Sequence, residues 1–308
     1  MIFPRPDETS GHRARKNHPT SRKELRKPVR KTVVRRDNQK VIMAEKISSV
    51  HNPGVKHVVR LRTKKSRDAR GLTLVEGNRE VRQALAAGLR FSCAYICRDG
   101  VYRCDEELVR ELEAKHVRIL EAGCSVFDKI CYGDRTEGIV ALVEHPQLTL
   151  DQLKLSANPF IVVMESVEKP GNLGAVLRTC DGAGVDALLV CDERTDIYNP
   201  NIIRASLGAV FSVPTVSCTS KEAAEFLKAK GVKTFAAVVQ ATEYYFNKDM
   251  SGPCAIVMGS EQDGLSDFWR RSSDEQVRIP MLGKVDSLNV SVSAAVMVYE
   301  SLRQRRRT

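Results

Sequence analysis

Three stretches of this 308-residue chain set polar side chains where a plain apolar core has no use for them. In the first, the apolar run Ile256-Val257-Met258 is followed at once by Gly259-Ser260-Glu261. A glycine, a hydroxyl and a carboxylate directly after a buried strand cost backbone entropy and polar desolvation, and they return no apolar burial. In the second, Ser287-Leu288-Asn289-Val290-Ser291 opens an apolar, small-residue helix with two polar groups, where a structural cap requires one. The third is Pro170 to Arg178, in which Asn172 starts a helix and Arg178 lies among Leu177, Thr179 and Cys180. An arginine on such a helix calls for an anionic partner, either a carboxylate such as Glu261 or a phosphate. Arg204, followed by Ala205-Ser206-Leu207-Gly208, poses the same choice between an ordinary ion pair and a phosphate.

The motifs that are missing narrow the chemistry. The chain has no GxGxxG after a strand, no GxxxxGK[ST], no HExxH and no GxSxG. Its six histidines all precede residue 146, so metal hydrolysis and histidine acid-base catalysis are disfavoured for the second half. A zinc site from Cys93, Cys97, Cys104 and His116 is a minor alternative, and no metal is expected. The nine cysteines form no CxxC pair, and Cys180, Cys191 and Cys254 read as small core residues.

The elements that must position these residues alternate between strand and helix. Val55 to Arg67 reads as a helix with Asn52 and Pro53 at its start, Lys56, Arg60, Lys64, Lys65 and Arg67 facing solvent. Strands at 71–77, 91–97, 116–120 and 138–144, with helices between, make a small α/β domain over 45–144. Residues 145–159 read as a linker. From Ile161 onward, apolar runs alternate with helices of 8 to 12 residues, the pattern of βαβ units and a mostly parallel sheet over 160–304. Within it, Ser220 is expected to cap a helix, and Val277-Arg278-Ile279 to form a strand. In such sheets ligands bind at the carboxyl ends of the strands.

Charge points to the substrate class. Residues 1–40 carry thirteen Lys/Arg against four Asp/Glu, and residues 45–70 carry eight against two. The net charge of the whole chain is +11, so the remainder is slightly acidic. This asymmetry fits an anionic polymer better than a merely solubilising surface. Residues 1–44, poor in large apolar side chains, read as a basic, disordered tail. No apolar run reaches membrane-spanning length, the amino terminus has no secretory core segment, and the cytoplasm is the expected compartment.

Three blocks in order, PGNLGAVLRTCDGAGVDALLV with NPNIIRASLGAVFSVP, then IVMGSEQDGL, then IPMLGKVDSLNVSVSAAVMVYE, resemble the SpoU/TrmH family of RNA ribose 2′-O-methyltransferases, of the SPOUT class. The resemblance covers about 160 to 302. Residues 45–144 are similar, more loosely, to the family's ribosomal-protein-like substrate-binding domain. The serine of GSE and the wording SLNVSVS resemble thiostrepton-resistance rRNA methyltransferases, although many relatives carry Asn at the position of Ser260.

The resemblance implies a deep trefoil knot, an exception to the usual unthreaded topology, homodimerisation through it, and S-adenosylmethionine bound within it. It implies cofactor contacts at Val239, Gly259, Ser260, Ile279, Met281 and Leu288, and a methyl-transfer site of Asn172, Arg178, Glu261, Asn289 and Ser291. Glu261 is expected to order Arg178 or its own loop. RNA contacts fall to Lys56, Arg60, Lys64, Lys65, Arg67 and Arg204. Large rRNA is favoured over tRNA as substrate. A base methyltransferase and an inactive RNA-binding or ribosome-assembly protein are the competing readings.

Overall fold

The computed structural model describes residues 45–133 and 136–306; the basic tail expected at 1–44 lies outside them. The first half runs β1 (Glu45–Ile47), α1 (Pro53–Arg60), α2 (Lys64–Asp68), β2 (Leu72–Glu76), α3 (Asn78–Ala86), β3 (Phe91–Ile96), α4 (Glu106–Ala114), β4 (Ile119–Ala122), α5 (Cys124–Ile130) and β5 (Ile139–Glu144). Its strands form one mixed sheet in the order β1-β4-β3-β5-β2. The second half runs β6 (Phe160–Glu165), α6 (Pro170–Ala183), β7 (Ala187–Cys191), α7 (Pro200–Ala205), β8 (Thr215–Cys218), α8 (Ser220–Ala229), β9 (Lys233–Ala237), β10 (Cys254–Met258), α9 (Asp267–Ser272), β11 (Glu275–Val277) and α10 (Val290–Arg305).

The second sheet has the order β11-β9-β10-β6-β7-β8, and all its pairings are parallel. Its central strands, β6 and β10, pair with Ile256 opposite Val162 and are buried throughout. Continuous apolar runs are what a strand covered on both faces requires. Helix α6 begins with Pro170 in its first turn, where the missing N–H costs nothing, and stops at Gly184 with φ +66°.

Helices α6 and α10 run side by side in the same direction. Asn289, ahead of α10, bonds Asn172 near the start of α6, and a Cβ at Gly182 near its end would lie 3.1 Å from the Tyr299 hydroxyl.

One apolar core runs through both halves, joining Val75, Val81 and Ala84 to Val162, Ile202 and Val210. The segment after β7 reinforces this contact. Arg67 Nε donates to Asp196 Oδ2 at 2.9 Å, Thr73 Oγ1 donates to the Tyr198 carbonyl at 2.8 Å, and the His145 and Tyr198 rings stack 4.9 Å apart.

Several sequence expectations need correction. The helix expected over Val55 to Arg67 breaks at Leu61, which turns back into the core, and restarts at Lys64. Arg67 consequently does not face solvent: it is 2% exposed, committed to Asp196 and the Leu61 carbonyl, and is removed from the RNA-contacting set. Asn172 is not a cap; it lies inside the first turn of α6, behind Lys169. Thr219 rather than Ser220 caps α8, through a reciprocal bond pattern with Glu222. The strand expected at 277–279 ends at Val277, and Arg278 bridges to Tyr244 instead. Strand β1 and helix α9, which carries the fully buried Trp269, had no counterpart in the sequence reading.

Candidate active site

The site is built by loops that leave the carboxyl ends of β6, β10 and β11. After β10 the chain turns tightly: Ser260 N–H donates to Gly264 O at 3.1 Å and Gly264 N–H returns to Ser260 O at 3.2 Å. The turn presses the Gly264–Leu265 backbone against Gly259 so closely that a Cβ on Gly259 would overlap it. Glycine there is a packing requirement. Ser260, 8% exposed, accepts from Asp263 N–H at 3.0 Å, which stiffens the turn. Beneath it, the buried Glu165 at the end of β6 accepts from Ser266 N–H and Oγ at 2.8 and 2.6 Å. Trp269 Nε1 donates to Ser220 Oγ at 2.9 Å beside the same carboxylate.

The turn delivers Glu261 to Asn172, whose Nδ2 donates to Glu261 Oε1. Asn172 Oδ1 accepts from Asn289 Nδ2 at 3.3 Å, and Asn289 Oδ1 accepts from Ser291 N–H at 3.0 Å and Ser291 Oγ at 2.7 Å. The hydrogen-bond polarity therefore runs one way, from Ser291 through Asn289 and Asn172 to the Glu261 carboxylate. Each link polarises the next. Because the Ser291 proton is committed to Asn289, the Ser291 oxygen is left as an acceptor. Asn289 also caps α10 and is exposed.

Arg178 is not in this cluster. Six residues past Asn172 on a helix is about 9 Å along the axis and about 240° around it. Arg178 is exposed, forms no ion pair among the described residues, and shares an outward stripe with Gly171 and Gly182. The carboxylate partner weighed for it, Glu261, is engaged by Asn172 instead.

The segment 278–289 crosses from the sheet edge at β11 back to α6, and so passes the ends of β9 and β10. Ile279 and Met281 are half-buried, while Val239, Leu282 and Leu288 are exposed by 50%, 99% and 37%. Past Arg278 N–H, which reaches Glu243 O, the backbone groups of 279–288 make no backbone hydrogen bond among the described residues. Apolar side chains beside unpaired peptide groups form a surface suited to a planar heterocycle that has both a face and hydrogen-bonding edges.

In the first half of the chain, Lys56, Arg60 and Lys65 are exposed on α1 and α2. Lys64 pairs with Asp68 at 2.9 Å and Glu193 at 3.5 Å. Arg204 is half-buried and lies over Gly133, where a Cβ would strike its guanidinium. The sequence reading missed Glu165, Ser266 and Trp269. The single tryptophan, in an unassigned gap after a Ser-Asp helix start, was the available signal.

A parallel α/β domain whose polar cluster gathers at the carboxyl ends of its strands defines a ligand-binding enzyme site. Residues 159–299 match the profile of the SpoU rRNA Methylase family, and residues 52–141 that of the MRM3-like substrate binding domain. The 23S rRNA (guanosine-2′-O-)-methyltransferase RlmB of Pectobacterium atrosepticum is 32% identical over 225 residues, 70% of this chain and 91% of the relative. The crystal structure of an RNA 2′-O ribose methyltransferase superposes with TM-score 0.74 at 38% identity, covering 85% of this chain and 99% of that one. An AdoMet-bound rRNA methyltransferase from Sinorhizobium meliloti gives 0.77 at 28% identity, covering 84% and 98%. This chain belongs to the SpoU rRNA methylase family.

Proposed function

We propose that this protein transfers the methyl group of S-adenosylmethionine to a ribose 2′-hydroxyl in structured RNA, with 23S-type rRNA as the substrate class. The observation that carries the reading is the directed chain Ser291–Asn289–Asn172–Glu261, assembled from three separate segments: the start of α10, the first turn of α6 and the turn after β10. S-adenosylmethionine supplies an activated methyl on a sulfonium that is already a good leaving group. The protein's share is therefore positioning, worth up to about 7–11 kcal/mol in favourable cases, and support of charge on the attacking oxygen. The backbone of 279–288 and Gly259, with Val239, Ser260 and Leu288 beside it, holds the cofactor. The free lone pairs of Ser291 accept from the 2′-hydroxyl, and Asn172 and Asn289 fix Ser291 in place. Arg178 serves as the phosphate and alkoxide partner, its planar guanidinium suited to a two-pronged contact.

The exposed stripe of α6 continues into Val292 and Tyr299 of α10, exposed by 48% and 50%. A second copy covering this face would form the homodimer and bring Arg178 to the edge of a methyl-transfer site. The chain crossing at 278–289 carries the trefoil knot. Residues 160–304 are the catalytic domain and 45–144 the RNA-binding domain, with Lys56, Arg60, Lys64, Lys65 and Arg204 meeting phosphates, and the enzyme works on ribosomal RNA in the cytoplasm.

The test is calorimetry with S-adenosylmethionine, followed by mapping of 2′-O-methyl groups in total RNA from cells with and without the gene. Saturable cofactor binding and one lost rRNA modification support the reading. No cofactor binding would leave an RNA-binding protein, and a lost tRNA modification would move the substrate.

A further inference from the structure

The segment from the end of β7 into the first turn of α7 grips both halves of the molecule. On one side Asp196, Tyr198 and Asn201 hold the first domain through Arg67, Thr73 and Tyr132, the last by Asn201 Nδ2 donating to the Tyr132 hydroxyl at 3.2 Å. On the other side Arg194 forms an ion pair with Glu168, in the loop after β6, and lies 3.8 Å from Asp263, in the turn after β10. One guanidinium thus ties the loops that follow three strands, β6, β7 and β10.

The two anchored loops lead to Asn172 and Glu261, the two residues whose bond ends the polar chain. Glu168 stands four residues ahead of Asn172. Asp263 closes the turn through its N–H bond to Ser260 Oγ, and Glu261 extends from the same turn to Asn172. We infer that Arg194 is a positioning residue for methyl transfer: it holds the outer side of the 260–264 turn so that Glu261 meets Asn172, with its own segment fixed by the docked RNA-binding domain. The inference rests on the reading given under Proposed function and adds a residue to it.

Arg194, Glu168 and Asp263 have side chains 49%, 37% and 71% exposed, so each pair is screened and contributes little to global stability. Their effect falls on local order. A turn of five residues ordered by few contacts opens more readily than the sheet beneath it. Holding it in place shortens the search for the geometry the reaction needs.

The experiment compares the full chain with Arg194→Ala and Arg194→Lys in amide hydrogen exchange and in methyl-transfer kinetics at varied S-adenosylmethionine. Arg194→Ala should speed exchange at 260–264 by about fivefold, roughly the equilibrium change expected on removing a surface ion pair. It should lower kcat/KM for the cofactor by a similar factor without shifting the melting temperature. Arg194→Lys should recover at least half of both effects, because the charge remains. Unchanged exchange at 260–264 in Arg194→Ala overturns the inference whether or not the wild type proves to be a methyltransferase. Absence of methyl transfer by the wild type, with the exchange effect intact, counts against the functional reading alone.

Discussion

Asn172 and Glu261 stand 89 residues apart in the chain, and the amide of one donates directly to the carboxylate of the other. This bond fixes which way round the Asn172 amide lies, and hence that its oxygen faces Asn289. Asn172→Asp should set two carboxylates together and abolish methyl transfer. Glu261→Gln keeps an acceptor for Asn172 and gives up the charge, so it should retain activity reduced by about tenfold, the difference between a charged and a neutral hydrogen bond. Initial rates with labelled cofactor and RNA distinguish the two; equal losses would mean the bond's direction is irrelevant.

Gly259→Ala introduces a methyl into the Gly264 backbone. The turn must open to admit it, and overpacking of this kind costs about 1–3 kcal/mol. Cofactor affinity by calorimetry should fall by tenfold or more, whereas Gly252→Ala, with open space around it, should leave affinity unchanged.

Arg178→Ala should remove methyl transfer and leave cofactor affinity within a few-fold, since Arg178 stands outside the Asn172 cluster. Arg178→Lys should recover little, because a planar two-pronged contact to phosphate is lost. Vigorous single-turnover transfer by Arg178→Ala would take Arg178 out of the mechanism.

The buried pair Arg67–Asp196 separates ion-pair cost from fold. Arg67→Ala strands a carboxylate that is 11% exposed and should destabilise by about 3–5 kcal/mol. Replacing both, Arg67→Met with Asp196→Leu, should restore most of that loss. Urea unfolding followed by circular dichroism measures both; equal destabilisation by single and double variants would show that the pair itself supplies the stability.

RNA affinity should depend on salt through the exposed lysines and arginines of α1 and α2. Lys56→Ala and Lys65→Ala should each flatten log K against log salt by about 0.7–0.9, one phosphate contact's worth. By contrast Arg67, though equally basic in sequence, faces Asp196. Filter binding at several salt concentrations is the measurement, and unchanged slopes would place the RNA on another face.

Much of this molecule was legible in its letters, and for local reasons. The runs Ile161 to Met164 and Ile256 to Met258 had to be strands buried on both faces, and Asn52-Pro53 had to begin a helix, because burial and capping act within a few residues. The polar residues placed against that background, Asn172, Glu261, Asn289 and Ser291, were conspicuous because they ran counter to it. What only the tertiary structure decided were the pairings between distant segments. Nothing near Arg67 announces Asp196, nothing near Glu261 chooses Asn172 over Arg178, and nothing near Arg194 names Glu168 and Asp263. A charged side chain carries its demand for a partner in its own chemistry, but the partner is set by which loops the sheet order brings to one edge, and sheet order is a property of the whole chain.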